Sequence, residues 1–202
     1  SEITLATDDD RTAVCCLSSV NLEEYDEWKH DDNFIPDLIR MLDNVISYFI
    51  ENAPMHLAKA VYSASRERSL GLGAMGFHAY LQRHNIPFES ASAKGANMKM
   101  FQHIKWRAVN ATKQLAEERG ECPDGVGHGV RNAHLLAVAP NASSSIICGN
   151  TSPSIEPYRA NAFTQKTKSG SSLLKNEYLE HVLQELDQDT DEVWKSIITN
   201  NG

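Results

Sequence analysis

A run of small polar residues follows the most apolar segment of the sequence. Residues 135–139 read Leu-Leu-Ala-Val-Ala, and residues 140–145 read Pro-Asn-Ala-Ser-Ser-Ser. Where a buried strand turns into a helix, free backbone amides and serine hydroxyls can bind an anion without any cationic side chain. The alternative is an ordinary helix N-cap formed by Ser or Asn, and the residue types alone favour that alternative.

Thiols are the second group of side chains that could carry chemistry. The four cysteines, Cys15, Cys16, Cys122 and Cys148, form neither a C-x-x-C pair nor a zinc-binding array, so we predict no metal site. Adjacent Cys15 and Cys16 could not bond each other without strain. Composition favours buried, reduced thiols in a cytosolic protein. An isolated glutamate such as Glu2 is typical of a solvated surface.

Three glycines, Gly71, Gly73 and Gly76, match the dinucleotide-binding pattern G-x-G-x-x-G. That pattern binds a pyrophosphate only where a strand precedes it and a helix follows it. Residues 56–68 have the pattern of a helix instead of an apolar strand, so we reject a dinucleotide site. We predict a helix over about residues 70–82, whose glycines let a neighbour pack closely.

Composition excludes two classes of function. Lys and Arg number 19 against 27 Asp and Glu, for a net charge of −8, and such a chain lacks the cationic contacts that sequence-independent binding to DNA or RNA needs. The mean hydropathy is −0.41, and no segment approaches the roughly 18 apolar residues of a membrane helix. Ser1 begins the sequence without a secretory signal, and neither end resembles a natural terminus. We therefore expect a cytoplasmic fragment truncated at both ends.

Hydrophobic spacing predicts the elements that must position these groups. A short apolar run predicts a strand within residues 11–22, and an acidic loop follows. The run 135–139 predicts a fully buried strand of a parallel sheet. A helix is predicted over residues 35–65, with an end or kink at Pro54, and another over 91–118, with a stop at Gly120. Two shorter helices are predicted over 173–186 and 191–198, and residues 165–172 form a polar segment before them. Long helices alternating with short buried strands indicate an α/β fold.

Four segments, taken in order, resemble one known family. They are Ser1-Glu-Ile-Thr-Leu, residues 13–22 (Ala-Val-Cys-Cys-Leu-Ser-Ser-Val-Asn-Leu), residues 129–140 (Gly-Val-Arg-Asn-Ala-His-Leu-Leu-Ala-Val-Ala-Pro) and Ile155-Glu-Pro-Tyr158. Their combination resembles the large, catalytic subunit of class I ribonucleotide reductase, most like phage-type versions. The resemblance implies part of a ten-stranded α/β barrel with several long helices. We therefore expect residues 1–202 to be one partial catalytic barrel domain.

The resemblance also implies roles for particular residues. Glu2 matches the glutamate that takes the proton from the substrate 3′-hydroxyl, and a carboxylate is a suitable general base there. Cys15 matches one half of the dithiol that reduces the 2′-carbon, whereas Cys16 is its non-reactive neighbour. The radical cysteine would precede Ser1. The expected substrate-diphosphate loop comprises Pro140, Asn141, Ala142, Ser143 and Ser144. Asn141 and Ala142 would act mainly through their backbone amides, and the two serines also through their hydroxyls.

The resemblance finally implies partners and an activity. The complete enzyme would reduce ribonucleoside diphosphates to deoxyribonucleoside diphosphates with a radical supplied by a metal-containing small subunit. No cofactor is expected in this chain, and dNTP or ATP effectors would bind regions outside it. Expected partners are the diphosphate substrate, the small subunit, a second large subunit, and thioredoxin or glutaredoxin as reductant. Two alternatives remain open, namely a non-catalytic piece of a split reductase and a nucleotide-binding module without a redox role.

Overall fold

The computed structural model of the chain describes residues 3–167 and 170–202. These residues form eight α-helices and four β-strands. The helices are α1 (Tyr25–Trp28), α2 (Phe34–Asn52), α3 (Ala58–Glu67), α4 (Phe77–Arg83), α5 (Ala91–Arg119), α6 (Ser144–Ile147), α7 (Glu177–Glu185) and α8 (Asp191–Thr199). The strands are β1 (Cys16–Asn21), β2 (Leu70–Met75), β3 (Ala162–Thr167) and β4 (Gly170–Lys175). Short 3-10 turns occur at Leu22–Glu24, Met55–Leu57 and Pro123–Gly125.

Three chain segments run in parallel at the centre of the molecule. β1 pairs with β2 from Cys16 opposite Leu70 to Asn21 opposite Met75. Residues 134–137 run along the other edge of β2, where the Leu72 amide donates to the Leu135 carbonyl at 2.8 Å. Parallel neighbours need long crossovers, and these consist of α1–α3 and of α4–α5. The predicted α/β class is therefore confirmed.

The hydrophobic core lies between this sheet and the two long helices α2 and α5. α2 buries one apolar side chain every three or four residues, as an amphipathic helix against a core does. The largest buried apolar side chains of the core come from α2, α4, α5, β2 and the turn after β1 and are Leu22, Ile35, Ile39, Ile46, Leu70, Leu72, Leu81, Met100, Ile104 and Leu115. The sheet is thus held in place by helix packing on one face.

The predicted helix over residues 70–82 is wrong in its first half, because Leu70–Met75 is the strand β2. All six residues of β2 are buried. A Cβ atom added to Gly73 would lie 2.3 Å from the Ala137 carbonyl oxygen, and one on Gly71 would lie 2.4 Å from Leu17 Cδ2. The glycines therefore allow close contact within a sheet. Two of them lie inside a strand and not in the turn after it, which does not match the dinucleotide-binding geometry.

Other local predictions have mixed outcomes. α2 ends before Pro54, α5 spans Ala91–Arg119 with Gly120 as its C-cap, and α8 spans Asp191–Thr199, as expected. The acidic loop contains the short helix α1. Of the polar segment at 165–172, the described residues 165–167 and 170–172 belong to the antiparallel strands β3 and β4, residues 168 and 169 lie outside the described part of the chain, and α7 begins only at Glu177. Strand β4 takes residues 173–175 because Leu173 and Leu174 pair with Thr164 and Phe163.

The run at 135–139 is extended but is not fully buried. Ala137 is 4% exposed, whereas Val138 is 38% exposed. The segment pairs with β2 through one isolated parallel bridge, Leu72 with Leu136. Among the helices that the structure describes, none is both long and apolar enough to cross a bilayer.

Candidate active site

A cavity of about 610 Å³ opens where β2 ends and the third parallel segment turns into a loop. Ligands of open α/β sheets bind outside the carboxyl ends of parallel strands, and this cavity has that position. Its wall combines residues of β1, the end of β2 and the loop that leads into α6, namely Leu17, Ser18, Ser19, Met75, Ala139, Asn141, Ala142, Ser143, Ser144 and Cys148. The structure thus brings four of the five predicted loop residues together with β1.

The loop from Pro140 to Ser144 is fixed by the side chain of Asn141. Asn141 has a φ of +54°, a left-handed conformation that Asn tolerates better than most residues. Its side-chain amide donates to the carbonyl oxygens of Ala74 at 3.1 Å and Ala139 at 2.9 Å, and its own carbonyl accepts from the Ser145 amide at 2.9 Å. Since both side-chain hydrogens are used inside the protein, Asn141 can donate a hydrogen bond to an anion only through its backbone amide.

The residues after Asn141 face the cavity. Ala142, Ser143 and Ser144 are exposed, whereas Ser145 is buried. Ser143 is the N-cap residue of α6, but its side chain makes no capping hydrogen bond. The ordinary N-cap alternative is therefore wrong for Ser143 in its usual side-chain form. The hydroxyls of Ser143 and Ser144 stand at the cavity wall, where they can donate to an anion.

The chain that leaves α6 is tied to the ends of β1 and β2. The Gly76 amide donates to the Ser152 carbonyl at 2.7 Å, and the Ser152 hydroxyl accepts from the Ala79 amide at 3.1 Å. Gly76 has a φ of +79°, and a Cβ there would lie 2.2 Å from Asn21 Oδ1. Only glycine fits this position, which directly follows Met75 of the cavity wall.

Cys15 and Cys16 stand at the start of β1. Cys16 is half-buried, and its amide donates to the Ser69 carbonyl at 3.2 Å. Burial raises the pKa of the Cys16 thiol, with a smaller contribution from Cys15, against the opposing charge of Arg68. A raised pKa disfavours the reactive thiolate form of Cys16. In an extended chain alternate residues face the same side, so Cys15 lies on the side of the sheet that carries Leu17.

The other two cysteines differ from each other. Cys122 is buried, and burial raises the pKa of its thiol. Cys148 is exposed and lines the cavity at the end of α6. The prediction that all four thiols are buried is therefore wrong for Cys148 and only partly right for Cys15 and Cys16, which are half-buried.

The sequence did not indicate several residues of the cavity wall, and one predicted site residue lies outside the described part of the chain. Ser18, Ser19, Met75 and Cys148 line the cavity without having been singled out. Ser18 and Ser19 could have been predicted, because they continue the predicted strand that contains Cys15. No local sequence feature indicates that Met75 or Cys148 belongs to the same site. Glu2 lies outside the described residues. In the described ranges no group of three or more His, Cys, Asp or Glu side chains is arranged to hold a metal ion.

Parallel strands, helical crossovers and a cavity beyond the strand ends are typical of α/β proteins that bind ligands at that edge of the sheet. The sequence matches the family described as "Ribonucleotide reductase, barrel domain" over residues 1–125 and 123–202. Together these two matches cover the whole chain. The chain therefore belongs to the ribonucleotide reductase barrel-domain family, which confirms the resemblance and the expected fold.

Individual relatives agree with the family match. A protein of Frog virus 3 (isolate Goorha) is 55% identical over 205 residues, which cover 100% of this chain and 36% of that protein. The ribonucleoside-diphosphate reductase large subunit of Invertebrate iridescent virus 6 is 52% identical over 204 residues, which cover 100% of this chain and 21% of that protein. Both are viral proteins, in keeping with the phage-type resemblance.

A solved structure shows the same fold. The Actinobacillus ureae class Id ribonucleotide reductase alpha subunit matches with a TM-score of 0.89 at 41% sequence identity, covering 100% of this chain and 37% of that one. The chain thus spans 21% to 37% of the length of these three proteins.

Proposed function

We propose that this chain is part of a ribonucleoside-diphosphate reductase large subunit, and that the complete protein reduces ribonucleoside diphosphates to deoxyribonucleoside diphosphates. The observation that carries the proposal is the cavity that joins the loop at Asn141–Ser144 to the strand β1, which Cys15 directly precedes. Family membership supports the reductase over a nucleotide-binding module without a redox role. We further propose that residues 1–202 form one partial barrel domain.

The loop from Pro140 to Ser144 is proposed to hold the substrate diphosphate. A diphosphate needs several hydrogen-bond donors at short range, and exposed backbone amides together with hydroxyls supply them. Ala142, Ser143 and Ser144 are exposed at the cavity. Asn141 contributes through its backbone and through the two hydrogen bonds that hold the loop in place. Pro140 begins the turn.

Cys15 is proposed to supply one of two thiols that reduce the 2′-carbon. In that step two thiols become one disulfide and give up two electrons and two protons. The 2′-carbon gains a hydrogen in place of its hydroxyl group, which leaves as water. The second thiol would come from the part of the protein outside this chain. The electrons are restored by exchange with an external dithiol of the thioredoxin or glutaredoxin type.

Glu2 is proposed as the general base that takes the proton of the 3′-hydroxyl, a role that suits a carboxylate. The radical that starts the reaction is proposed to come from a metal-containing small subunit, and a second large subunit is proposed to complete a dimer. No residue of this chain is assigned to a cofactor. We propose that the reaction takes place in the cytoplasm.

The proposed role of Cys15 is tested by comparison with its neighbour in the full-length protein. Cys15→Ser should abolish turnover driven by an external dithiol, because no disulfide can then form at that position. Cys16→Ser is the matched control and should retain most of the activity. The measurement is deoxyribonucleoside diphosphate formed per enzyme over many turnovers. Sustained turnover by Cys15→Ser would contradict the assignment.

A further inference from the structure

The segment that joins the positions of Glu2 and Cys15 has few apolar anchors. Most residues from Thr4 to Ala13 are exposed, and Leu5 and Val14 are only partly buried. Backbone hydrogen bonds connect Thr12 and the residue that follows Cys15 to the rest of the molecule, from the Thr12 amide to the Lys59 carbonyl and from the Cys16 amide to the Ser69 carbonyl, both at 3.2 Å. A segment that buries so little apolar surface opens at low free-energy cost unless other contacts hold it.

Arg11 supplies such contacts. Its side chain is 15% exposed, and its Nη2 atom lies 2.7 Å from Asp124 Oδ2 and 3.8 Å from Glu67 Oε1. The arginine therefore reaches two carboxylates on two different elements, the last residue of α3 and the turn after α5. The Glu67 side chain is 8% exposed and also accepts from the Ala6 amide at 3.5 Å. We call the set of Arg11, Asp124 and Glu67 the Arg11 clamp.

The Arg11 clamp differs from an ordinary surface ion pair. Fully exposed pairs contribute little because water and salt screen them, whereas the side chains of Arg11, Glu67 and Asp124 are 15%, 8% and 22% exposed. Asp124 is held from the other side by Arg66, so its position does not depend on Arg11. Removal of the Arg11 side chain therefore leaves the receiving carboxylates in place and releases mainly the segment itself.

We propose that Arg11 is a positioning residue, which holds the segment before Cys15 so that the Cys15 thiol meets the substrate. This inference rests on the proposed function of Cys15. A displacement of a reacting group by about 1 Å can lower a rate by about 100-fold. Arg11 is not among the residues that line the cavity, so its effect acts through the position of the segment.

The test uses the full-length protein with Arg11→Gln. The matched control is Arg40→Gln, because Arg40 also pairs with a carboxylate, Glu118, at 2.7 Å and 2.8 Å, but joins α2 to α5. Three measurements are made on each variant. They are the exchange rate of the Thr12 amide, the alkylation rate of Cys15 with Cys148 as the internal reference, and kcat and KM with a ribonucleoside diphosphate.

In Arg11→Gln we expect faster exchange at Thr12 and alkylation of Cys15 several-fold faster, with Cys148 unchanged. We expect kcat to fall about 10- to 100-fold with KM nearly constant, since the diphosphate loop lies elsewhere. Asp124→Asn should reproduce these changes, and Arg11→Lys should restore part of kcat by keeping the contact with Asp124. Arg40→Gln should change none of the three measurements.

Two results would overturn the Arg11 clamp as a positioning device. One is exchange at Thr12 and alkylation of Cys15 at the wild-type rates in Arg11→Gln. The other is an equal loss of kcat in Arg40→Gln, which would indicate general destabilisation. A failure of the proposed function can be told apart from a failure of the Arg11 clamp. Wild-type protein that forms no deoxyribonucleoside diphosphate would refute the reductase proposal. The exchange and alkylation rates would still test whether Arg11 holds the segment.

Discussion

At the scale of single residues, the buried carboxylate of Asp43 in α2 needs several partners to compensate its charge. It is 0% exposed and accepts hydrogen bonds from Arg68 Nε at 2.9 Å, Arg119 Nη1 at 2.8 Å and Asn132 Nδ2 at 3.1 Å. The guanidinium of Arg131 lies 3.5 Å away. Burial alone would raise the pKa of Asp43, but the positive charges and the hydrogen bonds outweigh it and lower that pKa.

Asp43→Asn should therefore destabilise the protein strongly. The substitution keeps the shape of the side chain but removes the negative charge that compensates the buried guanidinium of Arg68 and the partly buried one of Arg119. Loss of one partner from a buried ion pair costs about 3–5 kcal/mol. The measurement is the free energy of unfolding from denaturant titration, with Asp37→Asn at the start of the same helix as the control. A loss below about 1 kcal/mol would contradict the compensation of charge described for Asp43.

The same carboxylate predicts a pH dependence. The pKa of Asp43 is lower in the folded state than in the unfolded state, where it is about 3.9. The stabilisation that its ionisation provides is therefore complete at pH values above that unfolded-state pKa. That contribution is lost as the pH falls through the lowered folded-state pKa. The difference in stability between wild type and Asp43→Asn should thus be constant near neutral pH and shrink below about pH 4. Titration of unfolding free energy against pH measures it, and a difference that grew on acidification would contradict the sign.

At the scale of elements, glycine acts in opposite ways in β2 and α5. Gly73 lies in β2 under the Ala137 carbonyl, where an added Cβ has no space. Gly95 lies in the exposed first part of α5, where an added Cβ would meet nothing within 4 Å. A glycine within a helix costs about 0.5–1 kcal/mol relative to alanine because its backbone is freer in the unfolded chain.

Alanine substitutions at these two glycines should therefore change stability in opposite directions. Gly73→Ala should lower the free energy of unfolding by about 1–3 kcal/mol, since backbone atoms would have to move. Gly95→Ala should raise it by about 0.5–1 kcal/mol. Denaturant titration of the two variants tests the pair. Equal effects of the two substitutions would show that β2 is not packed as closely as described.

At the scale of the whole molecule, the chain spans only part of each relative. On the proposed function, the radical cysteine and the second redox thiol belong to other parts of the protein. The 202 residues alone should therefore form no deoxyribonucleoside diphosphate, even with a reductant and a small subunit, whereas the full-length protein should. The measurement is product formation from labelled substrate. Turnover by the isolated chain would refute this division of the site, and unpaired strand edges should make that chain poorly soluble.

The sequence by itself determined the long helices and the family. The periodic apolar residues of α2 and the caps of α5, Ser90 and Gly120, act within a few residues of one another, so local pattern suffices to place them. The order of the motifs around Cys15 and Pro140 was enough to indicate the reductase resemblance, which the family match confirmed. The roles of Glu2, Cys15 and the loop at 140–144 stay predictions.

Only the tertiary structure decided which distant segments meet. Gly71 and Gly73 lie in a strand that packs closely against Leu17 and Ala137. These contacts join distant parts of the sequence, so local propensity could not predict them. The same holds for Ser18, Met75 and Cys148 in one cavity wall, and for Arg11 paired with Asp124, which lies 113 residues away. Periodicity encodes which face of an element is buried. Close packing between elements decides what that face touches, and it exists only once the chain has folded.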